Sequence, residues 1–130
     1  MPKKHVFTSQ APKPIGPYSQ GVISGGLLFI SGQIPLDPKT NALVDGDIGA
    51  QTEQVLKNLM AVLKEAKIGA DNVVKTTVYL TDLAGDFPAM NEVYGRAFAG
   101  SAPARATVGV AALPLGASVE IEAVAVIRPR

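Results

Sequence analysis

Val119-Glu120-Ile121-Glu122-Ala123-Val124-Ala125-Val126-Ile127, close to the end of the chain, decides how the rest must be arranged. Its β-branched side chains read as a strand. The first half alternates, so Glu120 and Glu122 project to one face about 7 Å apart. The second half does not: Val124 and Val126 oppose Ala123, Ala125 and Ile127, leaving both faces apolar. Strands of that kind are ordinarily buried twice. Helices of the same chain can cover one face, but no element is left over for the other. The simplest second cover is a copy of the chain, which predicts a closed homo-oligomer; the alternative is a doubly buried edge within one monomer.

Working outward from that strand, Leu113-Pro114-Leu115-Gly116 is a turn, and before it Arg105 to Ala111 sets Ala106, Val108 and Val110 against Arg105, Thr107 and Gly109. Phe87, Met90, Val93, Tyr94, Ala97 and Phe98 form a helical stripe, with Asp86 read at its start, a stop at Gly100 and Pro103 beyond. Val74, Thr76, Val78 and Leu80 alternate with Lys75, Thr77 and Tyr79 as a half-buried strand. Val55, Leu56, Leu59, Val62, Leu63 and Ala66 recur at helical spacing between Ile48 and Ala66, with Asp47 as the starting cap and Gly69 as the end. Val22-Ile23 and Leu27 to Ser31 flank Ser24-Gly25-Gly26, a hairpin whose glycines supply positive φ. The order β-β-α-β-α-β-β predicts an α+β fold over a single domain, residues 1–130, with a largely antiparallel sheet and both helices on one face.

Composition narrows the function. The 130 residues are 47% hydrophobic and 18% charged, enough apolar surface for a core. A net charge of +1 with 5% aromatic residues supplies neither the field nor the stacking surfaces of a nucleic-acid binder. The absence of cysteine removes thiolate chemistry, disulfides and zinc ribbons. His5, the single imidazole, sits in a terminus expected to fray. Asp37, Asp45, Asp47, Asp82 and Asp86 fall in expected turns and caps, where aspartate is favoured structurally, so no metal site is expected. The N-terminus lacks a secretory apolar region, and no apolar run reaches the roughly 18 residues of a membrane span, so a cytoplasmic protein away from membranes is expected.

Arg105 on one strand and Glu120 with Glu122 on the next remain as candidates for chemistry. They read either as a structural ion pair or as a pocket with an anion clamp and a proton-handling acid. Pro12-Lys13-Pro14-Ile15-Gly16-Pro17-Tyr18 is a polyproline ligand or a stiff arm that fixes Tyr18. Ser31-Gly32-Gln33-Ile34-Pro35 is a plain strand exit or a place where a ligand approaches backbone amides. Asn91, beside Met90, is a surface amide or a contact to a partner chain.

Taken in order, Pro14 to Gly21, Ser31 to Pro35, Lys75 to Leu80, Asn91-Glu92-Val93-Tyr94, Pro103-Ala104-Arg105 and Glu120 to Ala125 resemble the Rid (YjgF) family, in its arginine-retaining RidA branch. The resemblance spans nearly the whole chain. It implies a chorismate-mutase-like fold, a homotrimer forming a trimeric barrel, and active sites in the clefts between subunits. It also implies cofactor-free hydrolysis of 2-imino acids, such as 2-iminopropanoate and 2-iminobutanoate, to 2-keto acids and ammonia. By similarity Arg105 is the carboxylate clamp and Glu120 the acid that holds or activates water, with Glu122 structural. Tyr18, Ser31, Gly32 and Asn91 match cleft-lining positions. Thr107 stands where some members carry cysteine, at a contact made through the backbone carbonyl. The rival expectation is a ligand-binding, chaperone-like or RNA- and translation-linked trimer without deaminase activity.

Overall fold

The computed structural model describes residues 2–127. Eight strands and two helices follow one another as β1 (Lys4–Val6), β2 (Gly21–Ser24), β3 (Leu27–Gln33), β4 (Leu36–Asp37), β5 (Ala42–Leu43), α1 (Ile48–Glu65), β6 (Val73–Leu80), α2 (Leu83–Ala97), β7 (Ala104–Gly109) and β8 (Val119–Val126). Six of the strands form one sheet in the order β1-β2-β3-β8-β6-β7, and β4 and β5 form a small separate ribbon. Every pairing in the main sheet is antiparallel except β6 with β7, which are joined through α2 as a parallel crossover. The α+β class, the mixed sheet and the two helices on one face match the sequence expectation.

The β2–β3 hairpin turns on Gly25 and Gly26, at φ +60° and +80°, the left-handed pair that a two-residue loop needs to follow the twist of its strands. The core lies between the helices and the sheet. From α1 it takes Val55, Leu56, Leu59, Val62 and Leu63, from β6 Val78 and Leu80, and from β8 Val119, Ile121, Ala123 and Ala125. Each large aliphatic side chain so buried contributes about 1.5–3 kcal/mol. Asn58, fully buried on α1, is accommodated because its amide donates to the carbonyls of Ile34 and Leu36, tying the chain after β3 to the helix.

Several local expectations are corrected. The terminal segment around His5 is not frayed: it forms β1 against β2, and the imidazole Nδ1 lies 2.6 Å from the Ser19 hydroxyl. Asp47 does cap α1, accepting from the Ala50 N–H, but Gly69 does not end it. Lys67 turns the chain at φ +64°, the Ile68 N–H donates to Leu63 and the Lys67 N–H to Lys64, which is a Schellman ending with lysine in the glycine position. Helix α2 begins a turn earlier than read, capped by Asp82 through the Gly85 N–H, so Asp86 and Pro88 lie inside it. Val74 is exposed rather than buried, because a register shift between Val73 and Lys75 rotates it off the core face. Strand β7 stops at Gly109, short of Ala111, and β8 at Val126.

The other sheet face is open in a single chain. It carries Phe29, Val108 and Val126, all more than a third exposed.

Candidate active site

The face on which each side chain stands follows from register. In β8, Val119, Ile121, Ala123 and Ala125 are buried under the helices, which puts Glu120 and Glu122 on the open face. In β7, Arg105 pairs with Thr76 and Thr107 with Val78, and both partners are fully buried on the helix side. Arg105 and Thr107 therefore belong to the helix face. The two candidate charges stand on opposite sides of the sheet.

Glu120 forms the floor of a cavity of about 290 Å³ lined by Ile15, Tyr18, Ser31, Gly32, Ile34 and Pro114. The cavity exists because β3 bulges: Ile30 pairs with Ala123 and Gln33 with Ile121, so Ser31 and Gly32 together face one residue of β8. A Cβ on Gly32 would lie 2.7 Å from the Glu120 carboxyl carbon. Only glycine lets that carboxylate rest against the strand. The Ser31 N–H donates to the Gln20 carbonyl and its hydroxyl to the Ser19 carbonyl, which holds the bulge to the segment carrying Tyr18. The buried Gln20 side chain anchors the preceding arm, donating to the carbonyls of Thr8, Ala11 and Pro12 and accepting from the Thr8 N–H. The proline-rich segment is thus a stiff arm over the cavity, and the Tyr18 hydroxyl accepts from the Ile15 N–H at 3.3 Å.

Burial in this apolar setting pushes the Glu120 carboxyl above its ordinary range, and the neighbouring charge of Glu122 adds to the rise. A carboxyl so placed can take up and release a proton closer to neutrality than a solvated one.

On the other face, the Arg105 guanidinium lies over two rings of α2, 4.7 Å from the centroid of Tyr94 and 5.6 Å from that of Phe87. Among the described residues the ion pairs join Arg96 to Glu53 and Glu92, and none involves Arg105 or Glu120. The structural ion-pair alternative for Arg105 and Glu120 within one chain is excluded by their positions. Asn91 shares the α2 stripe of Phe87 and Tyr94 by helical spacing and is exposed. Thus Tyr18, Ser31, Gly32 and Glu120 come together in one cavity, while Arg105, Thr107 and Asn91 lie on the other side. Sequence reasoning did not single out Ile15, Ile34 and Pro114 as cavity walls, and it read Phe87 and Tyr94 as core only. Their helical spacing carries no sign that a cation stacks on them.

Known proteins match nearly the whole length of the chain. The family model described as Endoribonuclease L-PSP matches residues 8–127. Protein DfrA of Myxococcus xanthus is 56% identical over 128 residues, covering 97% of each chain. The mouse (Mus musculus) 2-iminobutanoate/2-iminopropanoate deaminase is 50% identical over 127 residues, covering 98% of this chain and 93% of its own. A crystal structure of a protein of the conserved Rid family from Yersinia pestis superposes with a TM-score of 0.93 at 47% identity, covering 97% of this chain and all of that one.

Proposed function

This chain belongs to the endoribonuclease L-PSP family, which is the Rid family, and on that footing we propose that it is a cofactor-free deaminase of small 2-imino acids working as a homotrimer. The observation that carries the reading is the placement of a guanidinium, free of ion pairs among the described residues, and a proton-handling carboxyl on opposite faces of one sheet. Neither half is a complete site. A copy laid against the open face brings the Arg105 side of one subunit to the Glu120 cavity of the next, and it also covers Phe29, Val108 and Val126. The mouse relative's name supplies the substrate class, 2-iminopropanoate and 2-iminobutanoate.

In this reading the Arg105 fork takes the substrate carboxylate in two parallel hydrogen bonds. Ser31, Gly32 and Tyr18 set the imine carbon beside Glu120, with Asn91 and the Thr107 carbonyl at the edge of the cleft. Glu120 accepts a proton from a water that adds to that carbon and returns it to the nitrogen. As the C–N bond breaks, the carbinol oxygen re-forms a carbonyl and its proton passes by way of Glu120 to the departing ammonia, leaving a 2-keto acid and ammonium. The electrons stay within the substrate and water, so the step requires no redox group. An iminium is already electrophilic, and orientation together with one positioned water accounts for the acceleration.

The test couples a threonine dehydratase to this protein and follows imine decay and 2-oxobutanoate. Wild type should accelerate decay, and Arg105→Ala and Glu120→Ala should each lower kcat/KM at least tenfold. Acceleration by Arg105→Ala equal to wild type overturns the clamp. The apolar open face favours one second reading, a chaperone-like trimer, which would protect unfolded clients equally in both variants and show no imine turnover. The ribonuclease of the family's description finds little support in a chain of net charge +1.

A further inference from the structure

The Arg105 guanidinium is half-buried and, among the described residues, has no carboxylate to hold it, yet an arginine side chain left to itself samples many rotamers. What confines it is aromatic. The Tyr94 ring, almost fully buried, lies 4.7 Å below the guanidinium carbon, closer than Phe87, and is itself fixed at both ends. Its hydroxyl lies 2.6 Å from the hydroxyl of Thr76, a fully buried residue of β6 that pairs in register with Arg105, and its ring packs at 4.8 Å against Phe98. Thr76 thus ties the ring to the very sheet rung that carries the arginine. Burial raises the Tyr94 phenol above its usual range, though the Thr76 bond and the charge of Arg105 pull the other way, so the ring stays a neutral stacking surface at neutral pH.

We infer that Tyr94 is a positioning residue, which acts through Arg105 by holding its planar fork ready for a carboxylate, with Thr76 setting the ring. The inference rests on the reading of Arg105 as the carboxylate clamp. A ring face attracts a cation without satisfying its N–H donors, so stacking fixes the guanidinium plane and leaves the outer donors available. A carboxylate partner would have fixed it equally well and consumed the fork. Preorganisation of this kind lowers the cost of ordering the side chain when ligand arrives. It should appear in affinity for the carboxylate rather than in the chemical step.

Three readouts test it. The first is nuclear magnetic resonance of the unliganded wild type, in which the Arg105 Hδ and Hε protons should be shifted upfield by the ring; the shift should persist in Tyr94→Phe and in Tyr94→Leu shrink to the smaller part that the more distant Phe87 ring supplies. The second is equilibrium binding of 2-oxobutanoate and of its uncharged amide. Tyr94→Leu should weaken the carboxylate about 3- to 30-fold and leave the amide within about twofold, whereas Tyr94→Phe should cost the carboxylate less than about threefold. The third is turnover, where the loss in Tyr94→Leu should fall on KM with kcat nearly unchanged. An equal penalty for acid and amide, or a wild type without the ring shift, overturns the inference. The wild-type spectrum decides even if Tyr94→Leu fails to fold. A ring shift that Tyr94→Leu sharply reduces, in a protein that neither binds the keto acid nor turns over imine, supports the positioning and overturns the deaminase reading instead.

Discussion

Glu120 shows how a single position draws its chemistry from its surroundings. Its carboxyl is raised first by burial and then by Glu122, so the folded state holds its proton to a higher pH than the unfolded chain does. Between those two pKa values the folded state binds more protons, and stability falls as pH rises through that window before levelling off above the folded pKa. Glu120→Gln should therefore lack this fall: in urea unfolding from pH 4 to pH 8, the difference between variant and wild type should move in favour of the variant as pH rises. Catalysis by the ionised form has the opposite slope, and the acid limb of kcat/KM should lie above the ordinary carboxylate range. Glu122→Gln removes one cause of the rise and should move that limb to lower pH; a limb that stays in place, or moves up, would show that Glu122 does not tune Glu120. That Glu120 and Glu122 share a face was legible from their spacing. Spacing did not say which of the two would sit in a cavity, and only the family resemblance pointed to Glu120, because the cavity depends on a bulge in β3 and on Gly32, both distant in sequence.

Among the elements, the ends were harder to read than the middles. The α1 stripe of Val55, Leu56, Leu59, Val62 and Leu63 is buried as its spacing predicted, since helical period is a property of the letters themselves. Its C-terminus was misplaced at Gly69 because lysine occupies the left-handed position that glycine usually fills. The Schellman bonds and the packing of Ile68 against the core hold Lys67 there against a local cost of about 1–2 kcal/mol. Lys67→Gly should relieve that strain. Allowing for the extra freedom of glycine in the unfolded chain, a stabilisation of about 1 kcal/mol is expected, seen as a higher urea midpoint with unchanged slope. A lower midpoint would mean that the lysine stem contributes more packing than its exposure suggests. Helix α2 was misread for the converse reason: Pro88 suggests a first turn, yet Asp82 caps the helix one turn earlier.

At the scale of the whole molecule, the double apolarity of Ala123 to Ile127 and the two-sided placement of Arg105 and Glu120 lead to the same expectation, that copies assemble over the open face. Phe29 stands on that face with 46% of its surface exposed in the single chain. Phe29→Lys should scarcely alter the fold of a subunit, but it should release monomers in sedimentation velocity and remove imine deamination along with the assembly. A variant that remains assembled and active would place the interface elsewhere. The sequence by itself determined the order of the two helices and the five strands β2, β3, β6, β7 and β8, though not the short strands β1, β4 and β5, together with the helix and strand periods, the α+β class and the family, because these follow from local spacing and from motifs that survive as letters. The tertiary structure alone decided that the guanidinium rests on Tyr94 and Phe87 while the carboxyl lies against Gly32 across the sheet. Strand register and bulges set the face on which a side chain emerges, and they are fixed by pairing between segments far apart in the chain.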